Sequence, residues 1–189
     1  AASISRLGVD VSDDIPDFTG VLDAFHTLRG VLLATLKGEL VQQHRDEILS
    51  DIVKNVDVGF NMTPKRLLEA ERVRWTLARH MAEFFETHEF LICPAASIAP
   101  FESEKPFITE IDGTPCKTYI DWFAITFALT MTGCPVVSLP CGFTDEGLPM
   151  GLQILSKPRR EDELLSFAAL LEEHFTVRDQ LPIDPREAS

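Results

Sequence analysis

The hydrophobic positions near the start of the chain follow a helical period. Between Phe18 and Leu40 they recur at steps of three and four, which predicts a helix whose inward face is formed by Val21, Leu22, Phe25, Leu28, Leu32 and Leu36. Gly38 is expected to mark the end of this helix, because glycine weakens a helix interior. A second, shorter helix is predicted between Leu40 and Val56, followed by a loop from Asp57 to Met62.

The next segments alternate between helix and strand. Thr63 and Pro64 predict a helix start, with the threonine as N-cap and the proline in the first turn, and the helix should continue to about Thr87. A short buried strand is predicted from Phe90 to Cys93. Prolines and charges then favour irregular backbone, before two further helices at Tyr119–Met131 and Asp162–Phe175.

A hairpin is predicted between Pro135 and Leu155. Two short apolar runs, Val136 to Leu139 and Met150 to Leu155, are rich in residues that favour buried strands. The segment between them contains the turn residues Gly147 and Pro149. The sum is a mixed α/β pattern with too few strands for a complete sheet, so part of a larger sheet fits better.

Length and composition favour one globular domain over residues 1–189, with a helical lead-in (1–62) and a part of sheet and helix (63–189). The 189 residues are 45% hydrophobic and 25% charged. A net charge of −13 disfavours binding to nucleic acid and to anionic membrane surfaces. No transmembrane segment and no signal peptide are expected.

The cysteines and histidines give no sign of a metal site. Cys93, Cys116, Cys134 and Cys141 are widely spaced in largely apolar surroundings, which favours reduced thiols in a cytoplasmic protein over two disulfides. The five histidines show no ligand spacing. Neither a metal nor another cofactor is therefore predicted.

Motifs for nucleophilic catalysis are missing from the sequence. It contains no Gly-x-Ser-x-Gly elbow, no Ser-x-x-Lys pair and no Gly-Gly dipeptide. Ser138 is expected to be a small polar strand residue, whereas Ser97, just after a strand end, is a better candidate for lining a site. The aromatic residues around Trp122 are expected to be mostly core, with Trp122 as an alternative pocket wall.

The segment from Gly133 to Gln153 resembles the C-terminal signature of amidase signature enzymes, and weaker similarity covers most of the chain. The matching residues are Gly133, Pro135, Ser138, Pro140, Gly142, Phe143, Gly147, Leu148, Pro149, Gly151, Leu152 and Gln153, with Glu163, Leu164, Leu165, Ala168 and Glu172 after them. The resemblance implies the C-terminal part of that fold, with helices packed on a few strands of a mixed sheet.

This resemblance also implies a chemistry whose residues are not found here. The family hydrolyses carboxylic amides with two serines and a lysine, without a metal. Lys54 superficially resembles that lysine, but its acidic helical surroundings favour a surface role. No catalytic residue can be carried over. The resemblance does imply a substrate pocket lined by Trp122, Phe123 and Thr126, with the loop that carries Ser97 nearby.

Three functional hypotheses follow. In the first, the chain is a C-terminal fragment or subunit of an amidohydrolase, whose partners are the catalytic N-terminal portion and a small amide substrate. In the second, it is a noncatalytic binding or assembly module with the same architecture. A self-sufficient hydrolase using Ser97 or Ser138 is the third and least favoured. A homo-oligomer is left open in each case.

Overall fold

The computed structural model describes residues 2–177, so residue 1 and residues 178–189 of the predicted domain lie outside the described part. The described residues form a mixed α/β structure, as predicted. Its elements are α1 (Ala2–Ser5), α2 (Val21–His44), α3 (Ser50–Phe60), α4 (Pro64–Phe84), β1 (Phe90–Pro94), β2 (Glu110–Ile111), β3 (Thr114–Pro115), α5 (Ala124–Thr130), β4 (Val136–Phe143), β5 (Pro149–Ser156) and α6 (Glu161–Phe175).

These elements belong to two compact units. The sheet unit comprises the described residues up to Ile15, Phe84–Thr126 and the described residues from Cys134 onward. The helical unit comprises Pro16–Glu83 and Phe127–Gly133. Among residues 2–177, no helix combines the length and the apolar character needed to cross a membrane.

The sheet unit is built around three antiparallel strands in the order β1-β5-β4. The predicted hairpin is confirmed as β4 and β5, with an irregular register between Pro140 and Gly142. Gly142 has a φ of 144° at this point, a conformation that glycine adopts without strain. Helix α6 packs against the sheet, and its Leu164 and Leu171 share a core with Ile154 of β5.

In the helical unit, α2 and α3 approach so closely that several contact positions are glycine. A Cβ atom at Gly59 would overlap the carbonyl oxygen of Gly30, and a Cβ at Gly38 would lie 2.7 Å from Cζ of Phe60. The predicted end of the first helix at Gly38 is therefore wrong. The helix continues to His44 because its small residues face α3, and α3 itself extends through most of the predicted loop, to Phe60.

The predicted inward face of α2 is wrong at three of its leucines for the same reason. The buried residues of α2 are Val21, Ala24, Thr27, Gly30, Gly38 and Val41, whereas Leu22, Leu32 and Leu36 are exposed. Small side chains allow the close approach to α3, so these larger leucines lie elsewhere on the helix. Val41 joins Val53 and Val56 of α3 in the core of this unit.

The other predicted elements are confirmed with small shifts at their ends. Helix α4 begins after Thr63, whose Oγ1 accepts a hydrogen bond from the backbone N–H of Arg66 at 3.3 Å. It ends at Phe84, three residues earlier than expected. The predicted helix at Tyr119–Met131 is instead a short 3-10 turn, Asp121–Phe123, followed by α5. Gly133 follows with a φ of 71°.

Candidate functional site

A cavity of about 420 Å³ lies within the sheet unit. It is enclosed by the loop after β1, the 3-10 turn before α5 and the start of β5. Its lining consists of Ala95, Ala96, Ile98, Ala99, Pro100, Phe101, Trp122, Pro149, Met150 and Gly151. None of these residues has a charged side chain, so the cavity is suited to an uncharged group.

Backbone pairing fixes the loop after β1 against β5. Strands β1 and β5 pair antiparallel, with Pro94 opposite Leu152, and the N–H of Ala95 continues the pairing by donating to the carbonyl of Gly151 at 2.9 Å. A Cβ at Gly151 would lie 3.1 Å from Cβ of Ala95 and 3.2 Å from the carbonyl oxygen of Leu139. Glycine at this position therefore permits the close approach of the loop.

A second hydrogen bond fixes the same loop from α5. The hydroxyl of Thr126 donates to the carbonyl oxygen of Ala95 at 2.9 Å. Both the N–H and the C=O of Ala95 are thus engaged, one by β5 and the other by α5. Because the two bonds join three segments distant in sequence, the mouth of the cavity has a defined shape.

The 3-10 turn that carries Trp122 is stabilised by a carboxylate. Asp121 accepts hydrogen bonds from the N–H groups of Lys117 and Thr118, at 2.8 and 2.9 Å, and from the hydroxyl of Thr118 at 2.6 Å. Trp122 Nε1 donates to the carbonyl of Tyr119 at 3.0 Å. The carboxylate therefore organises the turn, and the indole presents carbon atoms to the cavity.

Aromatic contacts orient Trp122. Its ring meets that of Phe101 edge to face, with centroids 5.4 Å apart, and that of Phe123 at 4.9 Å. Edge-to-face geometry is favourable for aromatic pairs. The result is a rigid aromatic wall on one side of the cavity.

The four predicted site residues lie in one region but contribute differently. Trp122 lines the cavity, Phe123 supports its ring, and Thr126 fixes the loop. The side chain of Ser97 is exposed and is not part of the lining. Whether these residues bind substrate stays a prediction.

The contribution of β5 to the cavity is not predicted by the sequence analysis. The sequence pattern places Pro149, Met150 and Gly151 only in a hairpin, although all three line the cavity. Part of the signal is present, because a strand ending at Pro94 and a strand starting at Pro149 meet at one edge if they pair antiparallel. The pairing itself is not visible in a single sequence.

Neither candidate serine forms a nucleophile–base pair. In the described part of the chain, neither the Ser97 nor the Ser138 hydroxyl is hydrogen-bonded to a histidine or lysine side chain. Lys54 has a side chain 73% exposed and pairs with Asp51 at 3.1 Å. Its predicted surface position is confirmed.

Two other serines do contact histidines, but outside the cavity. The hydroxyl of Ser3 lies 2.8 Å from Nε2 of His174, and that of Ser12 lies 3.2 Å from Nε2 of His88. A carboxylate oxygen of Asp14 lies 3.2 Å from the same Nε2 of His88. A catalytic triad requires the carboxylate at the opposite ring nitrogen, so this exposed cluster lacks the geometry of one.

The four cysteines are free thiols. Burial raises the pKa of the Cys93 thiol to about 11 and raises the pKa of Cys141 above its ordinary value. A higher pKa lowers the thiolate fraction near neutral pH, so these two thiols are poor nucleophiles there. Within residues 2–177, no three histidine, cysteine or carboxylate side chains are grouped so that they could hold a metal ion.

Comparison with known proteins identifies the family. The amidase family model matches residues 14–165, and the chain therefore belongs to the amidase family. The match includes the loop after β1, the turn with Trp122 and both strands of the hairpin.

Its curated relatives are much longer proteins. The chain is 33% identical over 106 residues to a glutamyl-tRNA(Gln) amidotransferase subunit from Acaryochloris marina, which covers 56% of the chain and 21% of the relative. Identity to the corresponding protein of Thermodesulfovibrio yellowstonii is 35% over 106 residues, or 56% of the chain and 20% of the relative. The chain thus matches about a fifth of the length of these relatives.

Solved structures show the same fold. A bacterial aryl acylamidase of the amidase signature family superimposes with a TM-score of 0.80 at 19% identity, over 98% of this chain and 41% of that one. A 6-aminohexanoate cyclic dimer hydrolase complexed with substrate gives 0.76 at 24% identity, over 92% and 39%. The predicted fold, part of the amidase signature architecture, is confirmed.

Proposed function

We propose that this chain is the C-terminal portion of an amidohydrolase that cleaves a carboxylic amide to an acid plus ammonia or an amine. In this proposal the chain supplies scaffold and one wall of the substrate pocket, and the Ser-Ser-Lys catalytic residues lie outside its 189 residues. The observation that carries the proposal is a preformed cavity, in a family member, whose lining holds no nucleophile or base.

The division of labour follows from what amide hydrolysis requires. A serine must be activated by a base, and hydrogen-bond donors must stabilise the oxyanion. The cavity lining offers neither a hydroxyl nor a basic side chain. Its contribution is to hold the non-reacting part of the substrate, so that the carbonyl carbon is presented in a fixed position to groups supplied by the catalytic portion.

An exposed row of leucines supports the presence of a partner surface. Leu32, Leu36 and Leu40 recur every four residues along α2 and are 55%, 65% and 47% exposed. Residues four apart lie on one face of a helix, so the row is continuous. Contiguous apolar surface of this kind is uncommon on a free monomer. In the proposal the remainder of the enzyme covers it.

Further partners and the compartment are part of the same proposal. We infer a small amide substrate and no nucleic-acid or membrane partner, because the chain carries a net charge of −13. Four free thiols favour the reducing cytoplasm. Serine chemistry requires no metal or cofactor. A homo-oligomer formed through the leucine row is compatible with the proposal.

The test begins with the coding sequence that precedes these 189 codons. We expect it to encode a lysine-bearing strand and a Gly/Ser-rich segment, in frame or in a neighbouring gene. The combined product should release aniline from acetanilide, whereas the 189-residue chain alone should not. If neither motif is encoded there, the proposal is contradicted and the chain is better described as a noncatalytic binding module.

A further inference from the structure

We propose that the cavity accepts an uncharged, ring-sized apolar part of an amide and discriminates against polar amides such as glutamine. This inference rests on the proposed function and specifies its substrate class. The grounds are the chemistry of the ten lining residues, the engagement of their polar atoms and the space that they leave.

The lining offers almost no side-chain hydrogen-bonding capacity. Trp122 is the one lining residue whose side chain carries an N–H or O–H, and that N–H is already donated to the carbonyl of Tyr119. Met150 adds only a thioether, which is a weak acceptor. A carboxamide, ammonium or carboxylate placed here would lose its water without gaining partners, and each such loss weakens binding.

The backbone at the cavity mouth is also engaged. The N–H of Ala95 is donated to Gly151, and its carbonyl accepts from Thr126. Backbone groups that often recognise polar substrates are therefore occupied at this point. What the cavity presents instead is carbon.

The size and shape of the cavity suit a single ring. A volume of about 420 Å³ lies within the range of roughly 300–1,000 Å³ found for small-molecule sites. Ala95, Ala96, Ala99 and Gly151 leave this space, since their side chains extend no further than a methyl group. The indole of Trp122 provides an aromatic surface against which a flat ring can pack.

The walls are held in place before a ligand arrives. Loop and strand are joined through Ala95 and Gly151, and the indole is fixed by Phe101 and Phe123. A preformed cavity loses little conformational entropy when a rigid ligand binds. Rigid aryl amides should therefore bind better than flexible polar ones of equal size.

Ligand binding to the intact chain tests this inference without requiring catalysis. The chain has two tryptophans, Trp75 and Trp122. Trp75 is 72% exposed and belongs to the helical unit, so in the W75F background indole fluorescence reports on Trp122 alone. Acetanilide, acetamide and L-glutamine are titrated in parallel, with calorimetry as a second readout. We expect acetanilide to bind at least tenfold more tightly than either of the others.

A matched pair of substitutions locates the site. A96L places three additional carbons in the cavity and should weaken acetanilide binding tenfold or more. A169L makes the same change at an exposed position of α6 and should leave binding unchanged. If A96L does not fold, A99L, at an exposed lining position, takes its place.

Three results would overturn the inference. These are glutamine binding as tightly as acetanilide, A96L and A99L binding like the parent, or no binding of any probe by a chain that melts cooperatively. The last result would assign the cavity to contact with the rest of the enzyme. None of the three would disprove the proposed function, which depends on hydrolysis by the combined product.

Discussion

Thr126 shows how a single side chain positions the cavity. Its hydroxyl reaches across 31 residues of sequence to the carbonyl of Ala95, at the start of the loop that forms one side of the cavity. The residue touches no reacting group in the proposed scheme. Its effect on substrate binding is therefore indirect and depends on how well the loop keeps its place.

Replacing Thr126 by valine, which keeps the shape and removes the hydroxyl, should separate these effects. The carbonyl of Ala95 would lose its donor, so we expect unfolding in urea to become easier by about 1 kcal/mol. Acetanilide binding should weaken as well, because the loop is held by one bond instead of two. Ser97→Ala, at an exposed neighbouring position, should change stability by less than about 0.5 kcal/mol. Equal effects of both variants would contradict the assignment.

Individual site residues are predictable to different degrees. Trp122 can be identified as a pocket wall because it is a large aromatic residue placed shortly before the hairpin, and the structure does place it in the cavity lining. Ser97 is a candidate because of its position after a strand end, but which way a loop side chain faces is set by tertiary packing. Its exposure cannot be deduced from the sequence.

The elements illustrate which local signals are decisive. The start of α4 and the hairpin of β4 and β5 are predicted correctly, because a Thr-Pro cap and β-favouring runs around a glycine turn act locally. The end of α2 and much of its buried face are not. Glycine weakens an isolated helix, but Gly30 and Gly38 lie at the contact with α3, where the close approach of the two helices compensates.

The contact between α2 and α3 predicts opposite tolerance at two glycines. An added methyl at Gly59 would overlap the backbone of Gly30, which cannot move aside, so G59A should destabilise the chain by about 1–3 kcal/mol. An added methyl at Gly38 would meet only the ring of Phe60, which is 52% exposed and can shift. G38A should therefore be neutral, or stabilising by up to about 1 kcal/mol.

Urea denaturation followed by circular dichroism measures both variants under identical conditions. Since each is a Gly→Ala change within a helix, helix propensity favours alanine in both, and a difference of opposite sign reports on packing. A G59A chain as stable as G38A would show that α2 and α3 are less closely packed than described.

At the level of the whole molecule, the leucine row on α2 should govern association. Leu32, Leu36 and Leu40 expose a continuous strip of apolar surface. If the remainder of an amidase normally covers it, the chain alone should self-associate at high concentration, despite the repulsion from its net charge of −13.

Sedimentation velocity over a concentration series tests this expectation. The triple variant L32Q/L36Q/L40Q should shift the chain toward monomer without altering net charge. Ile15→Gln, at a position outside the row that is 79% exposed, serves as the matched control and should not change the distribution. A parent chain that stays monomeric throughout the series would favour the independent binding module instead.

The central claim is that this chain builds part of an amidase substrate pocket but carries no catalytic residues. Aniline release from acetanilide by the purified 189-residue chain tests it most directly, with S97A and S138A assayed beside the parent. We predict no release above the uncatalysed rate for any of the three chains. Release by the parent that disappears in S97A or S138A would contradict the claim, because it would place the nucleophile within this chain.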